Sequence, residues 1–280
     1  MAGTGSASSA RMGAAIQTGH YSMVTNCVFD GNGHSYRGMV NGGPTRVFDS
    51  VFRRGITRAL GDSVELAENC VFTNNLAGFS VTTGSATLRN CLYADNEEPV
   101  YTGSSRFENC TIVSNRNCGV FILSGCKPVF VNTVVARNSS PRGISNFRGW
   151  NNLGFSVTEW RANVTVSNCC FEGVGEYVNT RDGMSNDVWR IDLLDPTGRS
   201  FTADPKLADV ERGDYRLSRK SPCRDAGLRL GWMTPEAVDL AGNPRVVTRG
   251  KPLAADPGAL PDLGCYENIA PNFGFVILIR

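Results

Sequence analysis

Apolar positions in this chain come in short pieces that alternate with polar ones. Runs such as Ala77-Gly-Phe-Ser-Val-Thr-Thr83 and Cys118-Gly-Val-Phe-Ile-Leu123 are bounded by Gly and Asn, the pattern of short strands separated by turns. The pieces repeat. One block reads Asn26-Cys-Val-Phe29, Asp49-Ser-Val-Phe52, Asn69-Cys-Val-Phe72, Asn90-Cys-Leu-Tyr93, Asn109-Cys-Thr-Ile112, Asn132-Thr-Val-Val135 and Asn168-Cys-Cys-Phe171. Its starts are 23, 20, 21, 19, 23 and 36 residues apart. A second Asn follows six residues on, as in Asn26/Asn32, Asn69/Asn75, Asn90/Asn96, Asn109/Asn115 and Asn132/Asn138. Strand alternation turns the second and fourth residues of each block inward and the third outward.

That period predicts an all-β protein, a single-stranded right-handed parallel β-helix with about 21 residues per rung. Two inward columns result. One is Phe29, Phe52, Phe72, Tyr93, Ile112, Val135 and Phe171; the other is Cys27, Ser50, Cys70, Cys91, Cys110, Thr133 and Cys169. Asn tolerates left-handed backbone, which suits corners between sheets, and stacked Asn amides can bond from coil to coil. A leucine-rich solenoid has a similar period, but its leucine pattern is absent. The long sixth interval predicts an inserted loop near 139–163 carrying Trp150 and Trp160, either a binding excursion or a cover over an apolar side.

From about Phe201 the repeat gives way to Asp204-Pro-Lys-Leu207, Gly213-Asp-Tyr-Arg-Leu217, Ser221-Pro-Cys-Arg-Asp-Ala-Gly227, Asp239-Leu-Ala-Gly-Asn-Pro-Arg245 and Asp262-Leu-Gly-Cys-Tyr-Glu267. This ordered series resembles the C-terminal region of the choice-of-anchor Q family, bacterial proteins in which it follows a pectin-lyase-like β-helix. The resemblance implies an exported surface protein without an established reaction. The division expected is a β-helix over 1–200, a C-terminal cap over 201–268 and an apolar tail over 269–280. A solenoid end exposes strand edges and an apolar cross-section, and a cap would cover both.

Composition narrows the function. A charged fraction of 19% and a net charge of +2 carry no basic stripe, so nucleic acid is not an expected partner. The longest apolar run, Phe273-Gly-Phe-Val-Ile-Leu-Ile279, is far shorter than the roughly 20 residues that span a bilayer. No leader of a basic segment followed by an apolar one is visible at Met1-Ala-Gly-Thr-Gly-Ser. The first rung begins partway through a repeat, which favours a natural start further upstream over an intracellular chain. A secreted or cell-surface location is therefore expected. None of the ten cysteines forms a CxxC pair, which argues against zinc. Cys223 and Cys265 are the disulfide candidates, and Cys118 with Cys126 could meet on adjacent coils.

Charges at equivalent places on neighbouring coils are where chemistry would sit. Asp30, Arg53 and Arg54 follow the Phe column; Glu65, Glu68, Arg89 and Glu108 precede the Asn; Asp95, Glu97 and Glu98 lie at a corner. Asp30, Arg53, Arg54, Glu68, Arg89 and Glu108 are the catalytic candidates, and a solvated solenoid face would carry the same residues. No pectate lyase or polygalacturonase motif is present. Tyr101, Trp150 and Trp160 are the carbohydrate-binding candidates. Calcium is the one cofactor considered, held by Asp239, Asp256 and Asp262, against the alternative that these residues stabilise turns. Three functions remain open: a non-catalytic surface protein binding polysaccharide or another partner, a polysaccharide lyase or glycoside hydrolase, and a structural spacer. The oligomeric state is open as well.

Overall fold

A computed structural model describes residues 15–268 except 33–37, 57, 62, 77–79, 82–84, 124–125, 141–142, 145–146, 152–163, 173–176, 181–182, 186–194, 196, 246, 249–250 and 253–257. Three parallel sheets wind around one apolar axis. Sheet 1 stacks Ser22–Thr25, Thr45–Phe48, Val64–Glu68, Thr87–Arg89, Arg106–Glu108, Val129–Val131 and Thr165–Ser167. Sheet 2 stacks Val28–Asp30, Val51–Arg53, Val71–Thr73, Leu92–Ala94, Thr111–Val113, Val134–Ala136 and Cys170–Phe171. Each sheet 1 strand turns through one corner into the next sheet 2 strand, and these pairs are rungs 1 to 7 below. Sheet 3 holds Ser80–Val81, Val100–Thr102, Val120–Ile122, Phe147–Asn151 and Tyr177–Thr180, with Gly183–Ser185 antiparallel at its edge.

The corners explain the repeated Asn. Asn26, Asp49, Asn69, Asn90, Asn109, Asn132 and Asn168 all have φ between 48° and 54°, a left-handed turn that Asn and Asp accept more readily than most residues. Six residues on, the second Asn lies inside the coil. Asn75 Nδ2 donates to Asn96 Oδ1 (3.1 Å), Asn96 Nδ2 to Asn115 Oδ1 (3.0 Å), and Asn115 Nδ2 to Asn138 Oδ1 (2.9 Å). Each amide also donates to a carbonyl of the preceding rung, Phe52, Phe72, Tyr93 and Ile112 in turn. All four are fully buried, so this ladder satisfies polar groups that water cannot reach.

Both inward columns form as the alternation requires. Phe52, Phe72, Ile112, Val135 and Phe171 are buried at 0–1% exposure. Neighbouring rings stack, Phe29 on Phe52 at 4.6 Å and Phe52 on Phe72 at 5.1 Å between centroids. The small column closes beside them, with only Cys27 partly exposed at the first rung. A third inward column, Val24, Val47, Ala67, Leu88, Phe107, Phe130 and Val166, comes from sheet 1.

The C-terminal segment lies elsewhere than over the end alone. Ser200 and Phe201 do extend the last rung, through Cys169 N–H to Ser200 Oγ (2.9 Å) and Phe201 N–H to the Cys169 carbonyl (2.9 Å). From Leu207 the chain then runs along the side of the coil as a strap. Corner amides hold it: Asn168 Nδ2 donates to the Ala226 carbonyl, Asn132 to Leu228, Asn109 to Asp262 and Asn90 to Val238. Gly264, at φ 86°, donates its N–H to the Asn132 carbonyl (2.8 Å), and a Cβ there would come within 2.5 Å of Thr111 Oγ1. The strap covers the outward face of sheet 2 over rungs 4 to 7. Outward Val28 of rung 1 is 63% exposed, whereas Leu92, Thr111, Val134 and Cys170 at the same place are 0–6% exposed. The reason is apolar area: in those rungs both faces of the strand are hydrophobic, and the strap buries the outer one.

Candidate functional site

The sequence-derived catalytic candidates do come together, but with one another. Asp30 on rung 1 accepts from Arg53 Nε (3.1 Å) and from both Arg54 Nε (2.6 Å) and Arg54 Nη2. The Arg54 hydrogen bonds hold the Asp30 carboxyl below its usual range, so the group stays a paired carboxylate. On the outer face of sheet 1, Arg89 bridges Glu68 (3.0 Å) and Glu108 (3.1 Å), and Arg106 closes on Glu108 at 2.6 Å. Its guanidinium also lies 4.8 Å from the Trp232 ring centroid, so the strap roofs this chain of ion pairs. Glu65 pairs with Arg46 (3.6 Å). Alternating sign down a stack of rungs neutralises a face that would otherwise repel itself, and it occupies the carboxylates that hydrolysis would need. Asp95 accepts from the Tyr215 hydroxyl on the strap, and Glu97 pairs with Arg116.

The outer face of sheet 3 is different. Its strands are short and β-branched inward (Val100, Thr102, Val120, Ile122), which leaves the middle residue of each pointing out. Tyr101 and Phe121 are register partners there, partly buried, with ring centroids 5.2 Å apart. Glu98 flanks them, its Oε2 accepting from the Tyr101 hydroxyl (2.8 Å) and its Oε1 from Asn117 Nδ2 (3.1 Å). By backbone register the line continues from Phe121 to Arg148 and on to Tyr177. Two aromatic faces with a carboxylate and an amide beside them can stack on and hydrogen-bond a ligand laid along the coil axis. Phe121 has a sequence signal that alternation around Tyr101 would have found: Val100-Tyr-Thr102 and Val120-Phe-Ile122 are the same strand one rung apart. Trp150 lies on the strand Phe147–Asn151 in register with Asn179, and Trp160 lies outside the described residues.

Two of the calcium candidates, Asp239 and Asp262, bond backbone N–H groups of turns. Asp239 Oδ1 accepts from the Ala241 and Asn243 N–H groups and Oδ2 from Glu267 N–H; Asp262 accepts from Asp225 and Asn268 N–H. Asp256 lies outside the described residues, among which no cluster of three or more His, Cys, Asp or Glu could hold a metal ion. Arg245, wholly buried, pairs with Glu267 (3.1 Å) and donates to the Gly264 carbonyl. Burial pushes the Asp262 carboxyl up to about 6 and raises Glu267 against the pull of Arg245.

None of the ten cysteines is bridged in this structure. The expected pair Cys223–Cys265 is apart: Cys223 packs with Val134, Ala136 and Cys170, and Cys265 with Leu92, Ala94 and Val113, so the two anchor different stretches of strap. Burial pushes the Cys169 and Cys265 thiols up to about 12, which keeps them protonated and unreactive. No described helix is long and apolar enough to cross a membrane.

No curated protein and no solved structure matches the chain. Residues 45–188 match the family described as the right handed beta helix region, which takes in rungs 2 to 7 and the strands of sheet 3. With that match over more than half the sequence and seven strands stacked in parallel in each of two sheets, the chain belongs to the right-handed β-helix family.

Proposed function

We propose that this β-helix binds a polysaccharide along the outer face of sheet 3 and does not cleave it. The observation that carries the reading is the Tyr101–Phe121 pair, two outward rings in register on successive rungs with Glu98 and Asn117 beside them. Rungs repeat at about 4.8 Å, a spacing comparable to the length of one sugar unit, so a chain lying along the axis would meet one ring per unit. The catalytic candidates Asp30, Arg53, Arg54, Glu68, Arg89 and Glu108 are engaged in ion pairs with one another. An exported, surface-displayed protein of the choice-of-anchor Q kind is the setting in which such a face would meet glycans.

Affinity gels containing neutral or acidic polysaccharides provide the test, run beside assays for unsaturated products and new reducing ends. Retardation is expected in at least one gel, without product. Tyr101→Ala and Phe121→Ala should each weaken it about tenfold, roughly 1.4 kcal/mol. Retardation unchanged in both variants would place the binding face elsewhere, and released product would make the protein an enzyme.

A further inference from the structure

Two buried thiols meet where the strap crosses the end of the coil. Cys170 holds the outward position of rung 7, in register with Val134 of rung 6, and its thiol donates to the Ala203 carbonyl at 3.3 Å. Cys223 belongs to the strap. Its carbonyl accepts from Leu263 N–H (2.9 Å), and the neighbouring Gly264 N–H reaches the Asn132 carbonyl (2.8 Å), which sets this part of the strap over the Val134–Cys170 column. Both side chains are fully enclosed in one apolar cluster with Val134, Ala136, Leu217 and Leu263.

We propose that Cys170 and Cys223 form a disulfide that fastens the strap to the last rung, the oxidant being a low-molecular-weight disulfide such as glutathione disulfide. One cysteine thiolate attacks the oxidant's S–S bond and releases one thiol. The second cysteine thiolate then attacks the mixed disulfide and releases the other. The protein gives up two protons and two electrons, and the oxidant's S–S bond is reduced to two thiols. Contact with Cys223 and burial both raise the Cys170 thiol, so thiolate is scarce once the strap has docked, and the bond forms during docking. The inner thiols of Cys70, Cys91 and Cys110 also neighbour one another, and each is shared between two backbone carbonyls, one of them on the preceding rung.

The bond is independent of any ligand on sheet 3. It is tested by folding the full chain in a glutathione redox buffer, alkylating it in denaturant, counting free thiols by mass and mapping the peptides. Two of the ten thiols should be lost, in one linked peptide pair containing Cys170 and Cys223. Adding reductant should lower the melting temperature by on the order of 5–10 °C. Cys170→Ala and Cys223→Ala should each show no linked peptide, no other loss of thiol and no effect of reductant, and either variant that folds is sufficient. Ten free thiols in the wild type, or a bond between any other pair, would overturn the proposal.

Discussion

Asn96 does the work of four hydrogen bonds from one buried side chain. Its Oδ1 accepts from both Asn75 N–H and Asn75 Nδ2, and its Nδ2 donates to Phe72 and to Asn115. Asn96→Ala strands several buried groups at once, and a loss of at least ~3 kcal/mol in denaturant unfolding is expected, comparable to the roughly 3–5 kcal/mol for the cavity left by Phe72→Ala. A loss below about 1 kcal/mol for either would remove that residue from the interior. Asp262 gives a different readout. Its folded value of about 6 exceeds the ordinary 3.8, so between the two the folded chain keeps a proton that the unfolded chain releases. Its contribution is present below the lower value and is lost as pH rises through the upper one. Asp262→Asn removes the titration, so wild type should lose up to about 3 kcal/mol relative to the variant between pH 4 and pH 7. Parallel stability curves for the two would refute it. At this scale the Asn and Phe positions were legible because each repeats with the rung. The surroundings of Cys223 were not, because they depend on where a non-repeating segment docks.

At the scale of the strand, one face can be read from alternation and the other only from its failure. The outward third residue is charged in Val28-Phe-Asp30 and Val51-Phe-Arg53, while it is apolar in Leu92-Tyr-Ala94, Thr111-Ile-Val113 and Val134-Val-Ala136. That change is in the sequence and marks where the strap lies, but reading only the inward columns leaves it unused. It makes equal substitutions unequal. Val134→Asp, under the strap, should cost on the order of 3–5 kcal/mol, and Val28→Asp, in solvent, under about 1 kcal/mol. Similar costs by chemical denaturation would mean that the outer face is uniform along the coil. The ionic positions were likewise legible, since residues at equivalent places in the repeat must neighbour one another. Their mutual neutralisation was not, because it depends on side-chain direction and on the strap residue Trp232.

Across the whole molecule, stability is divided at about rung 4. Among the described residues no corner amide of rungs 1 to 3 bonds the strap, whereas rungs 4 to 7 are tied sideways through Asn90, Asn109, Asn132 and Asn168. A solenoid without lateral ties opens from an exposed end. Backbone amides of Val28, Val51 and Val71 should therefore exchange with deuterium faster than those of Leu92, Thr111 and Val134; equal protection across all six would show that the strap adds nothing. The same ties limit how this protein can change over generations. A rung gained or lost among the first three shifts nothing else, because each needs only a matching neighbour. A rung gained among the last four would throw every strap contact beyond it out of step, so a compensating insertion would have to arise in a separate part of the gene. Lineages of this protein should therefore vary in length at one end of the coil and keep a fixed count at the other.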